Sequence, residues 1–140
     1  MNTKIYRVKS KKLAGTDFKE IHKKAFNLYK EINGRSKRRP HIRSIYFKKN
    51  KIFLGLFWQH LHEKHFKEQV RRMKFFPCGI ELIKFTSFDP ESKENHNKRS
   101  ELLHRFTGIT SENEHFSVQI KEDKQSGEKF LISIFPSDYK

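Results

Sequence analysis

Apolar and polar residues alternate most regularly from Glu101 to Pro136, ELLHRFTGITSENEHFSVQIKEDKQSGEKFLISIFP. Period two is the mark of a half-buried strand. The stretch predicts three strands, near residues 102–108, 115–122 and 129–135, forming an antiparallel meander with one face on a core and one in water. A further strand is expected near residues 79–86, where Ile80, Leu82, Ile83 and Phe85 interleave with Glu81 and Lys84.

Upstream the period lengthens. Phe18, Ile21, Ala25, Leu28, Tyr29 and Ile32 recur along one helical face behind Asp17 and Glu20 at capping-box spacing. They predict a helix from about Asp17 to Ile32, stopped by Asn33 and Gly34. IRSIYF, the turn KKNK and KIFLG then read as a short hairpin. Phe57, Leu61, Phe66, Val70 and Met73 predict a second helix from about Leu56 to Lys74, closed off by Pro77. Residues 87–100, SFDPESKENHNKRS, have no period and read as a loop. Residues 1–15 give either a short strand at IYRV or a mobile arm. The expected fold is α+β: two N-terminal helices with a short hairpin between them, packed on one face of a four-stranded antiparallel sheet. The 140 residues suit one domain.

Charge turns this frame toward a class of partner. Lys and Arg total 31 against 16 Asp and Glu, a formal +15, and that imbalance attracts polyanions. RNA or DNA is the leading partner, ahead of an anionic membrane surface and an acidic protein. The lone Cys78 excludes an internal disulfide, sits among apolar neighbours as a small core residue, and fits a reducing cytoplasm. There is no apolar run long enough for a signal peptide or a membrane span, so a cytoplasmic protein is expected. No phosphate loop, GxSxG elbow, CxxC pair or paired acidic constellation is present. His60, His62 and His65 lack the i, i+4 spacing that a helical zinc site prefers, and neither a metal nor another cofactor is expected.

Two regions carry candidate chemistry. GRSKRRPHIRS is the densest positive run, with Arg35, Lys37, Arg38, Arg39 and Arg43 around Pro40 and His41; it reads either as a phosphate-holding loop, which Lys48 and Lys51 would extend, or as a nonspecific basic one. In the meander, placing Phe116, Val118, Ile120, Phe130, Ile132 and Ile134 on the core leaves Ser117, Gln119, Lys121 and Ser133 on the wet face. That row is either a binding face or a plain solvated one. With Phe106 in the core, Arg105 and Thr107 join it, and His104 points inward or sits at the start of its strand. Tyr46 is a candidate for stacking on a base, whereas Trp58 in LFWQHL reads as packing.

The order of elements over residues 17–136, and the segments RRPHIRS, LFWQHL, HRFTG, FSVQIKE and ISIFP, resemble the small metal-independent ribonucleases of the barnase, EndoU, colicin and RelE type, in particular their phage and mobile-element branches. The resemblance implies an endoribonuclease that cleaves RNA through its own 2′-hydroxyl without metal, and, for a toxin of this kind, an acidic antitoxin or immunity protein as partner. That chemistry needs a base, an acid and cations on the phosphate. On this reading His104 is the acid or base, Arg105 the phosphate clamp, Lys121 and Ser133 its neighbours, and His41 an alternative base. Two other readings use the same residues: a noncatalytic RNA- or DNA-binding protein, and a structural component of a nucleoprotein assembly.

Overall fold

The computed structural model describes residues 5–36 and 39–137. The elements are β1 (Tyr6–Arg7), α1 (Phe18–Arg35), β2 (His41–Ser44), β3 (Asn50–Phe53), α2 (Gly55–His62), α3 (Phe66–Met73), α4 (Phe76–Phe85), β4 (Glu91–Asn95), β5 (Lys98–Ile109), β6 (His115–Asp123) and β7 (Lys129–Pro136). The fold is α+β, but the expected two helices on a four-stranded antiparallel sheet are not found: among the described residues four helices accompany one mixed seven-stranded sheet. The sheet order is β1-β5-β6-β7-β3-β2, with β4 on the β5 edge. β5, β6 and β7 are the antiparallel meander, whereas β3 joins β7 in parallel and β1 joins β5 in parallel.

Each departure has a local cause. The segment expected to be one helix to Lys74 breaks at residues 63–65, because His65 caps a new helix, its Nδ1 accepting from Lys67 N at 3.2 Å. Buried Gln69 holds the break by donating to the Lys64 carbonyl at 2.8 Å. Pro77 does not end a helix but starts one, since its missing N–H costs nothing in a first turn. The stretch expected as a strand at 79–86 is therefore α4, with Phe76, Gly79, Ile80 and Ile83 buried at helical spacing. The apparent loop at 87–100 is a hairpin: β4 pairs with β5 from Glu91↔Arg105 to Glu94↔Leu102. Helix α1 runs past Gly34 to Arg35, where Ser36 Oγ donates to the Ile32 carbonyl at 2.9 Å.

The core lies between α4 and the sheet. Gly79 meets Ile134 so closely that a Cβ there would sit 2.5 Å from its Cδ1, and at Gly108 an added Cβ would sit 2.7 Å from Phe116 Cζ. These two glycines let α4 approach the meander. Helix α2 packs along β7, and its Phe57 stacks on Phe76 of α4 at 5.3 Å between ring centroids. Cys78 is fully buried here, and burial, with Glu81 nearby, pushes its thiol up to about 12. Of the two readings of the N-terminal segment the strand is the one found, with Val8 only 1% exposed. It is tied down by Glu81 of α4, which accepts from Lys9 N, Ser10 N and Ser10 Oγ at 2.7–2.8 Å. No helix among the described residues is long and apolar enough to cross a membrane.

Candidate nucleic-acid interface on the outer sheet face

Helix α4 covers one face of the meander; the other carries the candidate site. Register fixes which residues share that outer face, because side chains alternate along each strand. One row crosses six strands: His41, Phe53, Phe130, Lys121, Leu103 and Lys93 are successive paired neighbours. A second row runs Ser133, Gln119, Arg105 and Glu91. Arg43 and Lys51, paired across the β2–β3 hairpin, extend the face with two cations.

The middle of the first row is aromatic. Phe53 and Phe130 are half-buried, their ring centroids 5.8 Å apart, and the edge of His41 meets Phe53 at 6.0 Å. The Arg39 guanidinium lies 3.8 Å from the Phe53 centroid and pairs with Glu128 at 2.7 Å. From the other side Lys121 Nζ lies 5.3 Å from the Phe130 centroid and 3.3 Å from Glu101. Burial works to raise the Glu101 carboxyl, but hydrogen bonds from Asn95 and Lys121 and the charges of Lys121 and Lys98 outweigh it and hold it below its ordinary value. The lysine is thus held between a fixed anion and the Phe130 ring.

The bulge in β7 decides this arrangement. Gln119 pairs with Ser133, but the next residue, Ile120, pairs with Leu131, so Ile132 is extra. Upstream of it the facing reverses: Leu131 is buried and Phe130 is turned outward, opposite to strict alternation from Ile134. Phe130 and Ile132, expected in the core, are half-buried instead.

The expected residues fall into three groups. Arg105, Gln119, Lys121, Ser133, His41 and Arg43 share the outer face, and Arg39 borders it. Arg105 is paired with Glu91 at 3.1 Å. Ser117 and Thr107 lie on that face by register, but Ser117 is 3% exposed and Thr107 half-buried. Arg35 ends α1, and Lys48 sits in the β2–β3 turn at φ +56°, exposed. Lys37 and Arg38 lie outside the described residues. Trp58 is buried, and Tyr46 packs edge-on against Phe47 and Phe106.

His104 stands apart from all of these, on the inner face. It is 7% exposed, with Nδ1 2.7 Å from Ser92 Oγ and Nε2 2.8 Å from Glu122 Oε1. Glu122 also approaches the buried Lys129 at 3.8 Å, and Lys129 donates to Asn50 Oδ1 at 3.0 Å and the Gly127 carbonyl at 2.9 Å. Phe47 closes over both, 5.1 Å from the imidazole and from the ammonium. This hydrogen-bonded network, built on the buried His104 and Lys129, ties β4 and the β2–β3 hairpin to the meander. It offers RNA no open acid or base.

Phe53 and Phe130 were missed as site residues, although KIFLG held a signal for the first: with Ile52 and Leu54 in the core, Phe53 must face out. Comparison with protein-family models, with curated proteins and with solved structures found no match. The likeness to small ribonucleases rests on the sequence segments alone.

Proposed function

We propose that this protein binds single-stranded nucleic acid across the outer sheet face. The observation that carries the reading is the row His41–Phe53–Phe130–Lys121, two half-buried rings flanked by Arg39 on one side and Lys121 on the other. Bases stack on such rings whatever their identity, and flanking cations follow the backbone. Four strands separate His41 from Lys121 inclusive, so the row spans about 14 Å at the usual inter-strand spacing, room for a few unstacked nucleotides. The formal +15 supplies long-range attraction. In a reducing cytoplasm, where a lone buried thiol is at home, single-stranded RNA is the abundant ligand of this kind.

The test is fluorescence anisotropy with an 8-nucleotide oligouridylate, its deoxy counterpart and an RNA duplex. Tighter binding of single strands than of duplex, lost on replacing Phe53 and Phe130 by Ala, is expected. Equal affinity for duplex and single strand, unchanged in that double variant, would sink the reading.

Cleavage of the bound strand through its own 2′-hydroxyl is the second reading. The observation favouring it is His41, an imidazole on the same row as Lys121 and beside Arg39, whose carbonyl lies 2.9 Å from its Nδ1. Incubation of total RNA with the protein in EDTA separates the two: shortened products that disappear with His41→Ala establish cleavage, and RNA of unchanged length retires it.

A further inference from the structure

Strand β3 pairs with β7 only at Lys129 and Phe130, and beyond that point the β7 edge is bordered by helices α2 and α3. Between those helices and the outer face lies an open cleft of about 380 Å³, walled by His60 of α2, Lys64 of the α2–α3 break and Arg72 of α3, with Gln119 and Ser133 on the sheet and Glu63 also in its lining.

Arg72 is the built part of this cleft. Its side chain is 21% exposed, Nε donates to Glu68 Oε2 at 2.8 Å, and Nη1 donates to Ser133 Oγ at 2.9 Å. Glu68 is itself held by Arg71 at 3.3 Å; burial works to raise its carboxyl, but the two arginines outweigh that and keep it below its ordinary value. A guanidinium has five N–H donors; two are used in these bonds while its Cζ lies 5.5 Å from the Phe135 ring centroid, so the remaining donors of a fixed fork are left for a ligand. Such a fork fits the paired oxygens of a phosphate, and its orientation is settled before the ligand arrives. Lys64 and the His60 imidazole add donors, while Glu63 is the one carboxylate lining the space. Gln119 also lines a second cleft, of about 300 Å³, with Lys93 and Arg105, so the two clefts meet on the outer face.

We propose that the Arg72 cleft is a phosphate-binding site that takes one phosphodiester of a strand lying on the Phe53–Phe130 platform. The assignment rests on the nucleic-acid reading of that face, and the chemistry it needs, a tetrahedral dianion or a diester, is shared by free phosphates. Ser133 links the site to the platform strand: it accepts from Arg72 on one side and pairs with Gln119 on the other.

Two measurements test it. The first titrates the full chain with sodium pyrophosphate at constant ionic strength and follows the arginine Nε–H and backbone amide signals by nuclear magnetic resonance. Saturable shifts at Arg72 and Ser133 are expected, and this arm needs no variant. The second measures oligouridylate affinity against salt for the wild type, Arg72→Gln and Arg72→Lys. Loss of one phosphate contact lowers the slope of log affinity against log salt by about 0.7 in Arg72→Gln. Affinity should fall roughly tenfold at moderate salt, and Arg72→Lys should keep the slope but lose the orientation, leaving intermediate affinity. An Arg72 signal unmoved by pyrophosphate, with an unchanged slope in Arg72→Gln while oligouridylate still binds, overturns the cleft and leaves the platform standing. Saturable pyrophosphate shifts in a protein that binds no oligouridylate overturn the platform and leave a site for free phosphate.

Discussion

Phe53 and Phe130 meet at 5.8 Å across the short parallel pairing of β3 with β7, joining the hairpin to the meander on the outer face. Both rings are half-buried, with Arg39 over Phe53 and Lys121 over Phe130, so a base that stacks on either ring takes the place of a cation free to follow the backbone. Replacing either by Ala should weaken oligouridylate binding by roughly 5- to 150-fold, the equivalent of about 1–3 kcal/mol per stacked base. Anisotropy titration measures it, with thermal melting to confirm that the fold is retained.

His104 gives the opposite expectation. His104→Ala removes a buried imidazole and its hydrogen bonds to the exposed Ser92 and the half-buried Glu122 and should destabilise the fold by about 1–3 kcal/mol. RNA affinity below the melting transition should not change. Urea unfolding and anisotropy on the same samples check both halves, and a large loss of affinity in folded protein would put His104 back on the binding face.

Glu81 makes the docking of the N-terminal segment sensitive to acid. Burial alone would raise its carboxyl, but the hydrogen bonds from Lys9 N, Ser10 and Tyr6 outweigh it and leave it below the ordinary 4.5. A depressed carboxyl contributes stability that is fully present above its unfolded value and disappears as pH falls through its folded one. The melting temperature of Glu81→Gln should therefore lie below wild type at neutral pH, and the gap should narrow as pH falls below 4.5 and through the lowered folded value. Melting curves across that range decide it.

Gly108 sits where α4 presses on the meander, and an added Cβ would meet Phe116 Cζ at 2.7 Å and Leu82 Cδ2 at 3.2 Å. Phe116 and Leu82 are both fully buried and have little room to yield. Gly108→Ala should cost about 1–3 kcal/mol by overpacking. Gly34→Ala, where nothing lies within 4 Å, is the control and should stabilise slightly as a better helix former. Chemical denaturation measures the difference.

The parts of this fold legible in sequence are those where a local rule has no competitor. Asp17 accepts from Glu20 N at 3.4 Å, as its spacing to Glu20 implies, and the β2–β3 hairpin turns at KKNK because Lys48 and Lys49 take positive φ. The illegible parts have equally specific reasons. Pro77 reads as a stop or as a first-turn residue, and only the packing of Phe76, Gly79 and Ile83 on the sheet selects the second. The five-residue step from Leu61 to Phe66 was the trace of the α2–α3 break, but His65 as a cap has no propensity signal to match. Strand β4 is exposed on both faces at Glu91–Glu94, so its sequence has no apolar period to read. On the outer face Arg105, Gln119, Lys121 and Ser133 were found by alternation, whereas Arg72 reaches Ser133 from another element, and no spacing along the chain reports that.

The extra residue in β7 has a consequence for how this surface can change. Ile132 shifts the phase of one strand, so that Leu131 fills the interior while Phe130 is presented to the outside. Straightening the bulge with every residue kept would exchange the two, sending an aromatic ring into space shaped for a leucine and an aliphatic side chain to the outer face, whereas deleting Ile132 would leave both where they are. The outer face and the core are thereby linked through one bulge, and the facing of neither can be reversed at the β7 end without the other.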